Sequence, residues 1–210
     1  MSLEKFRLYL SQKSHLSKDR FRHCQQVAGM MSLVARKLGL NYINASICGL
    51  LHDFVREKSK ERMISILQES DPMLLEQMPP ECRTKVYLHG PAAAALINRM
   101  WMRDIKSMDV IEAIRQQAGT FSDMAPLSRC LYVCKALVPV NGTSFPMQRD
   151  IQQLMMQGKL DEADLLLSMY IEQYYSENEI PIHPMIPKRI EELRKKLGQS
   201  SERLSQQREP

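Results

Sequence analysis

The sequence predicts an all-α protein, on three observations. Apolar residues recur at steps of three and four almost throughout. No pair of alternating strand segments stands out, and prolines and glycines fall between the helical runs. The 210 residues are 44% hydrophobic and 25% charged, enough for one real core. With 8 Gly, 11 Pro and 5 Cys, the chain is not collagen-like, not disordered throughout and not a disulfide miniprotein.

The first strong helix carries His23, Val27, Met30, Val34 and Leu38 on one stripe, behind a cap at Ser17 and ahead of Gly39, which can adopt the left-handed stop conformation. Asn44 can cap a second helix through Ile47, Cys48 and Leu51 to about Phe54. Ser59 can cap a third that ends before Asp71-Pro72. Met78-Pro79-Pro80 reads as a loop. A helix starting near Pro91 opens with Ala92 to Ala95, small side chains that admit a neighbouring backbone. Further helices are expected over Asp109–Arg115, from Pro126 to Val138, and over Leu160–Tyr174. Pro181, Pro184 and Pro187 precede a last helix, Lys188 to Leu197, with Gly198 as its stop. This gives one domain over residues 1–197 and a polar tail, 198–210, expected to be disordered.

Composition also narrows the setting. The chain has 29 Lys+Arg against 24 Asp+Glu, a formal charge of +5. Much of the excess lies beyond Lys188, where seven basic residues face four acidic ones, so a solvated helix face and tail account for it better than nucleic-acid recognition. Cys24, Cys48, Cys82, Cys130 and Cys134 lie among apolar residues without a C-x-x-C spacing and read as buried free thiols in a reducing compartment. The opening residues lack the apolar core of a signal peptide, and no run approaches the ~18 apolar residues of a membrane span. A cytoplasmic location is expected. Leu154, Met155 and Met156 are consecutive in one helical segment, so at least one should be exposed, where it suits contact with a second copy in a homodimer.

The histidines carry the chemical signal. His52-Asp53 ends an apolar helix and puts an imidazole and a carboxylate ~100° apart, both able to reach one ion. Asp53 in such surroundings must be paired, hydrogen-bonded or metal-bound. His23 lies on the stripe of the preceding helix, and His89 precedes Gly90-Pro91. The order H…HD…H resembles the HD superfamily of metal-dependent phosphohydrolases, and more narrowly the YqeK-type branch, which hydrolyses diadenosine tetraphosphate symmetrically to two ADP. The resemblance runs from Arg20-Phe21-Arg22-His23 through Gly49 to Asp53, Leu88 to Pro91, Glu112 to Arg115 and Leu131-Tyr132-Val133 to Pro181-Ile182-His183-Pro184.

The resemblance implies an all-helical bundle with a metal and nucleotide cleft between helices. His23, His52, Asp53 and His89 would be metal ligands, with Asp53 the catalytic carboxylate able to bridge two ions. Iron or manganese suits that ligand set. The ion would activate a water toward phosphorus, and Arg56, Lys58, Arg83 and Arg115 would be candidates to hold the polyphosphate of a dinucleoside polyphosphate or related nucleotide. Two expected ligands are missing. Where the family has its I-R-x-H-T histidine this chain has Gln117, and where it has the aspartate of Y-x-A-D this chain has Lys135. An ammonium ~4 Å from a doubly charged ion, at an effective dielectric of ~20, costs on the order of 8 kcal/mol. Reduced or lost catalysis with a retained nucleotide-binding or regulatory role is therefore expected, with Lys135 pairing to Asp53 in the metal's place. The alternative is an active phosphohydrolase working with the remaining four ligands. His183 is expected to secure the C-terminal turn, and His15 to lie on the surface.

Overall fold

In the computed structural model, which describes residues 6–7, 10–11, 16–139 and 144–206 with side chains as far as residue 198, ten α-helices span the chain from residue 18 onward. No strand occurs among the described residues.

Helix α1 (Lys18–Lys37) begins where Ser17 Oγ accepts from the Arg20 amide, and it buries His23, Val27, Met31 and Val34 on one face. It ends as the sequence predicts. Gly39 has φ +68°, and the Leu40 amide reaches back to the Ala35 carbonyl at 2.8 Å, satisfying a carbonyl that the helix end would leave bare. This turn sends α2 (Tyr42–Leu51) back along α1. The cap of α2 is Asn41, whose Oδ1 accepts from the Ile43 and Asn44 amides, so the helix starts a turn earlier than the expected cap at Asn44. At Gly49 a Cβ would lie 2.5 Å from Ala28 Cα and 2.6 Å from Ala28 N. The two backbones therefore cross as closely as a bare glycine allows.

Helix α3 (Lys60–Ser70) is capped by Ser59, as expected, and α4 (Pro72–Gln77) follows directly with Asp71 as its cap. The expected loop at Met78-Pro79-Pro80 leads into one 3₁₀ turn, Pro80–Cys82. Helix α5 (Lys85–Ile105) starts before the expected Pro91 and runs straight through it. A proline there removes one intrahelical bond. The preceding turn is held by tertiary contacts: Tyr87 and Leu88 are fully buried, and Tyr87 Oη donates to the Pro181 carbonyl at 2.8 Å. Ala92, Ala93 and Ala94 are buried as the small-residue run predicts.

Helix α6 (Met108–Gln116) packs on α5, and α7 (Pro126–Leu137) packs against α1, α2, α6 and the long α9 (Leu160–Glu177), with α8 (Gln148–Met156) alongside. Met155 is buried and Met156 exposed on α8, as their adjacency requires. All five cysteines are free and buried. The last helix, α10 (Met185–Gln206), has its first turn secured by His183, whose Nδ1 accepts from the Met185 amide at 3.3 Å. The expected stop at Gly198 is not taken. The helix backbone continues to Gln206, and residues 207–210 of the expected tail lie outside the described residues, as does His15. No described helix is long and apolar enough to cross a membrane.

A buried ion network ties α10 to the bundle. Arg189, 2% exposed, lies 3.3 Å from Asp164 Oδ1, donates to Ser168 Oγ at 2.7 Å and stacks 4.3 Å over the Tyr132 ring. Arg129 reaches Asp164 from α7 at 2.6 Å.

The crossing of α1 and α2 yields a paired prediction. Gly49→Ala forces backbone apart and should destabilise the fold by about 3 kcal/mol. Gly29→Ala, on the same α1 but with nothing within 4 Å of its added carbon, should be neutral or stabilising by up to ~1 kcal/mol. Urea denaturation of the two variants checks both.

Candidate metal and nucleotide cleft

Four helix segments meet at one buried cluster. His23 comes from α1, His52 and Asp53 from the residues that close α2, His89 from the second turn of α5, and Lys135 from the last turn of α7. The His-Asp doublet does not sit inside a helix reaching Phe54. Helix α2 stops at Leu51, and from there three-residue bonds take over, Phe54 N to Leu51 O at 3.0 Å and Arg56 N to Asp53 O at 2.9 Å. Gln117 supports this turn. Its Nε2 donates to the His52 carbonyl at 2.6 Å, which satisfies a carbonyl freed at the helix end and leaves Gln117 Oε1 buried without a partner.

The imidazoles are oriented by backbone. His52 Nδ1 is 2.9 Å from the Gly49 carbonyl and His89 Nδ1 is 3.0 Å from the Lys85 carbonyl. A carbonyl only accepts, so each Nδ1 carries the proton and, in the neutral ring, each Nε2 turns a lone pair into the cluster. His23 Nε2 is 3.2 Å from His52 Nε2, while His23 Nδ1 is buried without a partner. Asp53 is 3% exposed. Its Oδ1 lies 3.5 Å from His52 Nε2 and 3.8 Å from His89 Nε2, and its Oδ2 lies 3.8 Å from His23 Nε2.

The donor set fits a divalent cation. His23, His52 and Asp53 each offer one ligand atom, all within 4.8 Å of one another, and His89 stands next to them through Asp53. The convergence of imidazole nitrogens is hard to satisfy by protons alone. Burial drives His23 down to about 4, helped by His52 and opposed by Asp53, and burial likewise lowers His52 and His89. The three rings are therefore neutral near pH 7, the form in which histidine binds metal. Burial alone would raise the Asp53 carboxyl, but His52, His89, Arg20 and Lys135 outweigh it and hold Asp53 well below the usual carboxylate range.

The surrounding charges work against the ion. Asp53 Oδ2 already accepts from Arg20 Nη1 at 2.8 Å. The expected pairing of Asp53 with Lys135 is not made: among the described residues, the partners of Asp53 within 4 Å are Arg20, His23, His52 and His89. A guanidinium three residues before His23, and so on the same helix face, takes that place. Lys135 lines the same cavity of about 340 Å³. Burial pushes its ammonium down to about 8, against the attraction of Asp53 and with Arg56 and Arg20 adding repulsion.

Of the arginines suggested for phosphate, Arg56 lines the cavity and donates to the Lys85 carbonyl at 3.0 Å. Arg83 donates to the Met78 carbonyl, and Arg115 pairs with Asp71 at 3.2 Å and Glu112 at 3.3 Å beside a different depression. Neither lines the cleft. Arg20, Tyr175 and Ile171 do. The spacing of Arg20 to His23 could have found the first, but nothing local marks the other two.

The chain is similar to known proteins in sequence and in fold. A family profile described as HD domain matches residues 20–138. The chain is 27% identical over 154 residues to "Bis(5'-nucleosyl)-tetraphosphatase, symmetrical" of Bacillus subtilis (strain 168), covering 73% of this chain and 75% of the relative. It is 22% identical over 174 residues to the protein of the same description from Halalkalibacterium halodurans, covering 82% and 87%. The crystal structure of a predicted HD superfamily hydrolase involved in NAD metabolism, from Clostridium acetobutylicum, superposes with a TM-score of 0.80 at 21% identity, over 93% of this chain and 98% of that one.

The lysine supplies a pH test on chelator-treated protein. Its folded value is depressed to about 8, so between that pH and its unfolded value near ~10.5 the unfolded chain binds the extra proton and stability rises with pH. Below pH ~8 the buried charge costs wild type about 3 kcal/mol relative to Lys135→Met, and the difference should fade by pH ~10.5. Denaturation of both proteins across that range reads it; a gap independent of pH would refute it.

Proposed function

The chain belongs to the HD domain family, and we propose that it is a nucleotide-binding member of that family in which metal-dependent hydrolysis is reduced or lost. One observation carries the reading: the Lys135 ammonium stands in the cleft of His23, His52 and Asp53 with no carboxylate oxygen within 4 Å among the described residues. A positive charge there at pH 7 opposes an ion of charge +2. The kinship with symmetrical bis(5'-nucleosyl)-tetraphosphatases supports a dinucleoside polyphosphate or related nucleotide as the ligand.

If a divalent cation is held, His23, His52 and Asp53 hold it, with His89 beside them. Such an ion supplies Lewis acidity toward phosphoryl oxygens. The chain's own residues do the rest. The Gly49 and Lys85 carbonyls fix the tautomers of His52 and His89, Gln117 fixes the turn that carries Asp53, and Arg20 keeps Asp53 ionised and aimed into the cleft. Arg56 stands on the wall of the cleft, in reach of an entering anion.

The convergence of His23 Nε2 and His52 Nε2 at 3.2 Å favours a second reading, an active phosphohydrolase with the reduced ligand set. Metal content and activity separate the two. Protein loaded anaerobically with ferrous iron, or with manganese, should bind metal weakly and release no ADP from diadenosine tetraphosphate, while Lys135→Asp should bind metal at least ~10-fold more tightly. ADP release by the metal-loaded wild type, abolished in Asp53→Ala, would establish the second reading instead.

A further inference from the structure

Three side chains that are cationic at pH 7 line the cleft, Arg20, Arg56 and Lys135, and Asp53 is the one acid among its lining residues. That leaves an excess of two positive charges in a cavity of about 340 Å³. Local pairing does not remove it. Arg20 gives one nitrogen to Asp53 at 2.8 Å, while its Nε is buried with no hydrogen-bond partner. Arg56 gives one nitrogen to the Lys85 carbonyl, which anchors the guanidinium without neutralising it. Lys135 is absent from the partners of Asp53 within 4 Å. Cations held in a concavity with apolar walls attract an anion more strongly than the same cations on an open surface. Guanidinium and ammonium donors match phosphate oxygens. The Tyr175 ring and Ile171 from α9 give the same cavity an apolar side, and its volume lies within the range of small-ligand sites.

We propose that this cleft binds a nucleoside diphosphate without any metal ion, the diphosphate held by Lys135, Arg56 and Arg20 and the nucleoside lying against Tyr175 and Ile171. The inference rests on the reading that Lys135 has displaced metal chemistry from the site. It assigns that lysine a ligand of its own, in place of the pairing with Asp53 expected from the sequence.

The experiment is calorimetric titration of ADP into the full chain after exhaustive chelation, at pH 7. Binding is expected without added metal and should weaken with rising salt. Lys135→Met should lose roughly tenfold or more in affinity, the scale of one charge-assisted hydrogen bond, whereas Lys135→Arg should keep most of it. Circular dichroism of each variant separates misfolding from loss of the contact, and Arg56→Ala repeats the test from another helix. Equal affinity of wild type and Lys135→Met for ADP, or binding that appears only after manganese or ferrous iron is added, would overturn the proposal. Inorganic pyrophosphate binding as tightly as ADP would overturn its nucleoside half. Hydrolysis of diadenosine tetraphosphate by the metal-loaded wild type would instead overturn the proposed function, and the chelated titration would still decide the metal-free site.

Discussion

A carboxylate buried to 3% exposure at the meeting point of four helix segments is the constraint around which this structure is built. An ionised group at that depth costs several kcal/mol unless its surroundings compensate it. Asp53 is compensated by the Arg20 guanidinium, one helical turn ahead of His23, and three imidazoles from three different segments crowd its carboxylate within 4 Å. Those partners can reach it only because α1 and α2 cross at Gly49 without an intervening side chain and because α5 approaches the end of α6 at Gly90, where a Cβ would lie 2.9 Å from the Ile114 carbonyl. The polar cluster and the close helix crossings are therefore one requirement. The core cannot relax around either without stranding a charge.

The position of Lys135 in the last turn of α7 explains how the bundle tolerates a reversed charge. Unsatisfied carbonyls give a helix C-terminus partial negative character, which favours a cation and disfavours an anion. An aspartate at this point would be repelled by its own helix end and by Asp53 and would call for an external cation to hold the two together. A lysine needs none. The end of α7 thus suits a lysine on its own backbone electrostatics.

Much of this was legible in the sequence where the determining interactions are local. The Ser17 and Ser59 caps, the Gly39 stop, the stripe of α1 and the buried cysteines all depend on neighbours within a turn or two. The grouping of His23, His52, Asp53 and His89 was implied by the family resemblance that their order carries. What escaped was set by distant contacts. Pro91 lies inside α5 because Tyr87 is bonded to Pro181, far along the chain. Helix α2 ends one turn early at the doublet because Gln117 meets the His52 carbonyl. Arg83 and Arg115 had the right chemistry for phosphate, but Arg83 is engaged by a carbonyl and Arg115 by carboxylates, both away from the cleft. Lys135 was placed in the cleft correctly, yet its partner was misjudged, since Arg20 reaches Asp53 at hydrogen-bond distance and Lys135 stays beyond 4 Å.

The Arg189 network has a consequence for how the molecule comes apart. Peeling α10 away would leave Asp164 with Arg129 and Ser168 but without its second guanidinium, remove the cation from the Tyr132 ring and open the turn at Gly119, whose added Cβ would lie 2.9 Å from Arg189 Nη1. Tyr132 is also part of the cleft wall. Fraying of the last helix below about Arg189 is therefore not a private event at a chain end but a cooperative opening shared with the ligand-facing side of α7. The helix beyond Arg189 is tied down as well, with Ile190 and Leu193 buried in the core and Lys196 paired to Asp161 at 2.8 Å.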